Sequence, residues 1–250
     1  MSKKILSATL SLLVIGLTSF FVFGKVSLFS KVFNTPLPSV VPYNKTQTTT
    51  PNPKPTTSTG DSVKEINLDV PFTSQAPHLN WDQPYQDFCE EASILMAVQY
   101  LRGDIISNAD FANDKMLAIM DFEIKKFGYY RDTNIEEVAV IFREFYGIKD
   151  VKIVYNPTVE DIKKALIEKK AVVVPVAGRQ LYNPYFTPPG PLFHMLVIKG
   201  YTKDGNFITN DPGTRRGANF IYKFDVLMNA IHDWNGGEVN KGRKVILVVG

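Results

Sequence analysis

The sequence predicts an α+β domain, with helices first and a largely antiparallel sheet after them. Apolar residues recur at helical spacing in three successive stretches between residues 89 and 145. Apolar runs bounded by Gly, Pro and Asp turns dominate the chain after residue 170. The helical and strand-like stretches are mostly segregated rather than alternating, which favours α+β over a parallel α/β sheet.

The folded part begins near residue 65. Residues 1–60 carry six lysines and no acid, so removing them from the net charge of +3 leaves −3 for the remainder. The basic balance therefore belongs to the N-terminal sixty residues. No basic stripe interleaved with aromatics suggests nucleic acid as a partner. Ile5 to Gly24 is twenty uncharged residues after Lys3 and Lys4, long enough to span a bilayer as a helix. It lacks a small-residue cleavage pattern before Lys25, so residues 1–24 read as a stub and an uncleaved signal anchor. Secretion after signal cleavage is the alternative. Residues 25–64, with Pro36, Pro38, Pro42, Pro51, Pro53, Pro55 and a run of threonines, read as an extended spacer. The expectation is a single-pass membrane protein with residues 65–250 as a monomeric extracytoplasmic domain.

Within that domain, Glu65 to Phe72 alternates apolar and polar residues and reads as a strand. A helix follows from Cys89 to near Gly103, with Asp87 as its cap and Glu90 completing a capping box. Its stretch from Ile94 to Val98 is apolar on nearly every side, so it should run through the core. Further helices are expected over 108–126 and 134–145, a strand over Val151 to Tyr155, and a helix started by a Thr158–Asp161 capping box. Ala171 to Ala177 and Phe193 to Lys199 are apolar on both faces and read as central strands. A proline-rich loop with Tyr182, Tyr185 and Phe186 joins them; it and Trp81 are candidates to line a cleft, the alternative being simple packing. A turn at Asp204-Gly205 leads to a strand over Phe207 to Thr209. Strands over 219–222 and 244–249 flank a short helix near Asp225 to His232.

Cys89 is the only cysteine, so no intramolecular disulfide forms and the domain depends on its core. A helix N-terminus offers free amides and a positive dipole end to a thiolate. The bland reading of Cys89 is a small buried hydrophobe. A nucleophile would need a base and an orienting group. His194, in the middle of an apolar strand, must have a hydrogen-bonding partner; its alternative role is that of a satisfied core histidine. Asp211 is the natural partner, its alternative role being the turn aspartate of Asp-Pro-Gly. In a hairpin with a two-residue loop at Asp204-Gly205, paired positions sum to 409. His194 and Asp211 then share a face. His194 would pair with Arg215, leaving Asp211 four residues, roughly 13 Å, short along the strand. A longer loop or a bulge must close that gap. Histidines at 78, 194 and 232 with one cysteine give no zinc spacing, and no cofactor is implied.

Four motifs together resemble the C39-like cysteine peptidases, a branch of the papain-like fold: V-P-F-T-S-Q-A-P (70–77), C-E-E-A-S (89–93), F-H-M-L-V-I-K-G-Y (193–201) and N-D-P-G-T (210–214). The resemblance implies a thiol hydrolase acting on a peptide or protein substrate, with Cys89 as nucleophile, His194 as base and Asp211 as orienting carboxylate. It also implies a glutamine at the oxyanion hole. Gln75 matches by context. Gln83 competes, because six residues before the cysteine is the usual papain-like spacing. Glu90 stands where many relatives have glycine, and two acids beside the thiol oppose its ionisation. Two other readings remain: a cell-wall amidase or endopeptidase, whose typical Asp-Cys-Ser motif is absent, and an inactive tethered domain that binds peptide or wall polymer.

Overall fold

The computed structural model describes residues 37–43 and 64–250. The described residues from 38 onward make one compact unit. The anchor expected over Ile5 to Gly24 and most of the proline-rich spacer lie outside the described residues. Among those described, no helix is long and apolar enough to cross a membrane.

The architecture is the expected α+β one. Its strands are β1 (Val40–Val41), β2 (Ile66–Leu68), β3 (Val151–Tyr155), β4 (Ala171–Val176), β5 (His194–Thr202), β6 (Asn206–Asn210), β7 (Phe220–Lys223) and β8 (Val245–Val249). Its helices are α1 (Cys89–Arg102), α2 (Ala109–Phe127), α3 (Ile135–Val140), α4 (Val159–Ile167) and α5 (Phe224–Ala230). The main path of the sheet runs β1-β2-β5-β4-β8-β3, with β6 on β5 and β7 on β6. Every pairing is antiparallel except β1 with β2. Residues 38–43, inside the segment read as a spacer, reach the domain. The Asp69 N–H donates to the Val41 carbonyl at 3.0 Å, and the Tyr43 ring meets Tyr100 edge-on at 5.1 Å.

Local chemistry sets most helix boundaries. Asn108 caps α2 by accepting from the Phe111 N–H. Asn134 and Glu137 form a capping box on α3, and Thr158 with Asp161 forms the one on α4. Gly103 and Gly128 end α1 and α2 with φ of 69° and 88°, a left-handed conformation in which glycine has no side chain to strain. The helix expected over 134–145 continues past α3 only as a wider π turn, Ile141–Phe145.

α1 departs from expectation at its start. Asp87 lies in a short 3₁₀ turn, Tyr85–Asp87, and Phe88 takes the cap position with no side-chain hydrogen bond. The Asp87 carboxylate is occupied elsewhere, accepting from Gln83 Nε2 at 2.7 Å and pairing with Arg131 at 3.2 Å. Cys89 is the first helical residue, and every residue from Cys89 to Leu101 is buried. A helix hidden on all sides has to be central. It packs against β5, β4 and α2.

The β5–β6 hairpin settles the register problem with both devices. Thr202 pairs with Asn206, so the loop has three residues, and a bulge interrupts the ladder between Ile198 and Gly200. Beyond the bulge Val197 pairs with Asn210, which by continuation brings His194 opposite Gly213. Each device shifts the register by one residue. Together they keep His194 and Asp211 on one face and halve their offset to two residues, about 7 Å. The bulge residue, Lys199, is buried with its ammonium on Asn219 Oδ1 at 2.9 Å.

Immediately beyond the bulge, β5 crosses β2 with no room to spare. A Cβ on Gly200 would stand 2.2 Å from the Ile66 carbonyl oxygen. Gly200→Ala should therefore cost about 1–3 kcal/mol through forced strand separation. Urea denaturation of the variant checks this; an unchanged midpoint would contradict the packing described.

Candidate active site

Cys89, His194, Gln75 and Gly213 line one cleft of about 310 Å³, walled by Trp81 and Phe186. α1 brings the thiol and β5 brings the imidazole. The backbone of Met195, the residue after His194, acts on the Cys89 thiol and draws its pKa down. His194 Nε2 lies 2.8 Å from Asp211 Oδ1, both side chains almost fully buried. With Nε2 facing a carboxylate, that nitrogen carries the proton and Nδ1 is the basic one. The Phe186 ring stands edge-on to the imidazole at 5.3 Å and further restricts it.

Asp211 has four donors. Oδ1 accepts from His194 and from the Gly213 N–H at 3.0 Å; Oδ2 accepts from Tyr222 Oη at 2.6 Å and Asn183 Nδ2 at 3.1 Å. Asn183 also donates to Tyr222 Oη at 2.8 Å, closing a buried triangle. Burial pushes the Asp211 carboxyl upward, but the imidazole, the phenol and the Gly213 N–H outweigh it and hold it below the ordinary value. Asp211 is thus an ionised carboxylate in a dry interior, made tolerable by full coordination. Asn183 and Tyr222 were not singled out from the sequence. No spacing relates them to Asp211, and only the fold brings the loop before Pro184 and strand β7 to the same carboxylate.

The other side of the thiol is different. Cys89 Sγ donates to Glu90 Oε2 at 2.9 Å, and Glu90 Oε1 accepts from the Thr133 N–H at 3.1 Å. Burial, the Glu90 charge and hydrogen bond, and Glu91 push the thiol well above its ordinary range; the Met195 amide draws it down. Burial likewise pushes Glu90 up to about 8 and Glu123 to about 9, and raises Glu91. Glu91 on α1 and Glu123 on α2 are fully buried, and no donor among the described residues reaches their carboxyl oxygens. Burial and the charge of Glu123 both raise Glu91, so the two carboxyls favour the neutral form. Burial thus favours the neutral form of the acids beside the thiol, which relieves the repulsion that two carboxylates would impose.

The two glutamines part company. Gln75 is buried in the cleft, its Nε2 donating to the carbonyls of Tyr85 and Gln86 at 3.0 and 2.9 Å, and its backbone N–H to Pro212 O at 3.0 Å. Gln83 is exposed, accepts from Tyr130 Oη at 3.0 Å, and is not among the cleft residues. Gln86, three residues before Cys89 and not singled out from the sequence, also lines the cleft. His78 pairs with Asp110 at 3.1 Å, and His232 Nδ1 lies 3.2 Å from the Ala230 carbonyl. Among the described residues no cluster of three or more His, Cys, Asp or Glu side chains is placed to hold a metal.

A thiol at a helix N-terminus in one cleft with a carboxylate-oriented imidazole is the arrangement of cysteine hydrolases. The comparison with known families agrees with this class. The model of the Peptidase_C39 like family matches residues 67–237, more than half of the chain, and the chain belongs to that family. Among solved structures, a Bacillus anthracis protein described as a C39-like peptidase is similar at 15% identity, with a TM-score of 0.41, over 73% of this chain and 95% of that one. No curated protein matches.

Two predictions follow from the buried acids and the Asp211 shell. The ordinary Glu value is 4.5, whereas folded Glu90 and Glu123 hold their protons to about 8 and about 9. The folded state therefore binds more protons across that window, and stability should fall as pH rises from about 5 to about 9. Glu123→Gln should flatten the decline in thermal midpoint; a decline of unchanged slope would show that Glu123 does not titrate there. Tyr222→Phe removes one donor from a buried carboxylate and should cost about 1–3 kcal/mol, read from chemical denaturation against the parent.

Proposed function

We propose that residues 65–250 form a cysteine peptidase that hydrolyses peptide bonds through Cys89, His194 and Asp211. The observation that carries this reading is the buried His194–Asp211 pair opening onto the cleft that holds Cys89. His194 Nδ1 takes the thiol proton, and the sulfur attacks the scissile carbonyl. His194 then protonates the leaving amine, and water hydrolyses the thioester. Asp211 holds the tautomer and stabilises the imidazolium. The Cys89 backbone N–H, at the start of α1, and the Gln75 side chain are the proposed oxyanion donors. To serve, Gln75 Nε2 must turn one N–H from its carbonyl partners toward the cleft.

The thiol must also leave Glu90 for His194 before attack. Because Glu90 is largely protonated at neutral pH, that exchange does not strand a buried carboxylate. The proposal extends to location: Ile5 to Gly24 as membrane anchor, residues 25–64 as tether, and the domain outside the cytoplasm as a monomer acting on a peptide or protein. The twenty uncharged residues from Ile5 to Gly24 support the anchor, and the family assignment supports the peptide substrate.

Cys89→Ala should lower kcat/KM on a cleaved peptide by at least about a thousandfold with the circular dichroism spectrum retained. Asp211→Asn should lower kcat by on the order of 10³–10⁴ through the wrong tautomer. Turnover by the Ala variant at the parent's rate would remove the assignment. One observation favours a second reading, an inactive domain that binds peptide: the thiol is held by Glu90 and raised. Iodoacetamide separates the two. Rapid alkylation near neutral pH that slows on acidification marks an activated thiol, whereas sluggish alkylation that rises only at alkaline pH marks the binding domain.

A further inference from the structure

The cleft does not end at His194. A second cavity of about 330 Å³ shares Trp81, Thr187 and Gly213 with it and continues to Tyr185, Arg215 and Arg216. Both arginines are exposed, and among the described residues neither pairs with a carboxylate. The nearest acid in sequence, Asp211, is fully engaged by its own four donors. The Arg216 guanidinium lies 4.8 Å over the Tyr185 ring, which fixes its plane and leaves its edge donors for another partner.

The loop that carries these arginines is rigidly tied to the reacting centre. The Asp211 N–H donates to the Gly217 carbonyl at 3.0 Å, the Gly217 N–H to Thr214 O at 3.2 Å, and the Arg216 N–H to Thr214 Oγ1 at 3.2 Å. A Cβ on Gly217 would stand 1.7 Å from the Asp211 carbonyl oxygen, so the closure admits only glycine. At the same loop's start, the Pro212 carbonyl accepts from the backbone of Gln75. One seven-residue segment therefore positions the imidazole's partner, the glutamine and two unpaired guanidinium groups.

We propose that Arg215 and Arg216 form a substrate subsite for a carboxylate carried within about three residues of the scissile bond, on the order of 10 Å along an extended peptide. The carboxylate is either an Asp or Glu side chain or the free C-terminus of the substrate. This deepens the peptidase reading and rests on it for the word substrate. A planar, always-charged donor fork beside aromatic walls suits a carboxylate and no cationic or purely apolar group.

The test uses the full-length Cys89→Ala protein and synthetic octapeptide pools with one fixed Glu or Gln, each made with a free or an amidated C-terminus. Fluorescence anisotropy should show a carboxylate-bearing pool binding about tenfold more tightly than its neutral match at low salt, with the difference shrinking as salt rises. A preference that follows internal Glu identifies an acidic side chain; one that follows the free end identifies a chain terminus. Arg215→Gln with Arg216→Gln should bring the ratio to within about twofold. The double Glu variant should invert it toward pools carrying Lys, which a merely structural role for the arginines would not produce. Equal binding of all four pools, or a preference that survives the double Gln variant, overturns the subsite. Hydrolysis of the same pools by the parent separates the two claims. Cleavage without carboxylate preference sinks the subsite alone, and carboxylate-selective binding without any cleavage sinks the peptidase reading alone.

Discussion

An ionised carboxylate sealed from water is the constraint around which this domain is arranged. Asp211 is fully buried, and a bare charge there would cost many kcal/mol. It is tolerated because donors arrive from four places: the imidazole of β5, the phenol of β7, the amide of Asn183 in the loop before β5, and the Gly213 N–H of its own turn. Those elements cannot move independently without exposing a charge or leaving a donor empty. The same turn holds Gln75 through Pro212, so satisfying one carboxylate fixes the cleft.

Across the thiol, the same residue class is kept in the opposite state. Glu90, Glu91 and Glu123 are as buried as Asp211, but few donors reach them, and burial drives them toward the neutral form. Cys89 thus stands between carboxyl groups pushed toward the neutral form and a carboxylate held toward the ionised one. Environments that push like groups apart in pKa are how a fold assigns acid and base roles. Here the divergence lets a thiol rest against Glu90 while an oriented imidazole lies in the same cleft.

Much of this was legible in the sequence, for identifiable reasons. Central strands β4 and β5 follow from unbroken apolar runs, and α4 from the Thr158–Asp161 box, because those signals are local. The burial of α1 follows from its apolar surround. The start of α1 does not. Asp87 has the chemistry of a cap, but Gln83 and Arg131 compete for it, and the competition is tertiary. Cys89, His194 and Asp211 were each visible as candidates, because a lone thiol, a histidine in an apolar strand and an Asp-Pro-Gly turn stand out. Asn183 and Tyr222 were not, since an amide before a proline and an aromatic in a strand have unremarked local roles. The bulge at Lys199 was demanded by arithmetic, but its position was not given; nothing in Ile-Lys-Gly alone announces an unpaired residue.

That bulge has a consequence for how the domain can vary. Side chains alternate faces along a strand, so the hairpin between His194 and Asp211 works as a parity count. Any single insertion or deletion there carries the carboxylate to the opposite side of the sheet, away from the imidazole. A paired change, such as the extra loop residue together with the bulge, restores it. Lengths in this hairpin are therefore free to drift only in even steps, and related chains with shorter or longer turns should carry or lack the bulge accordingly.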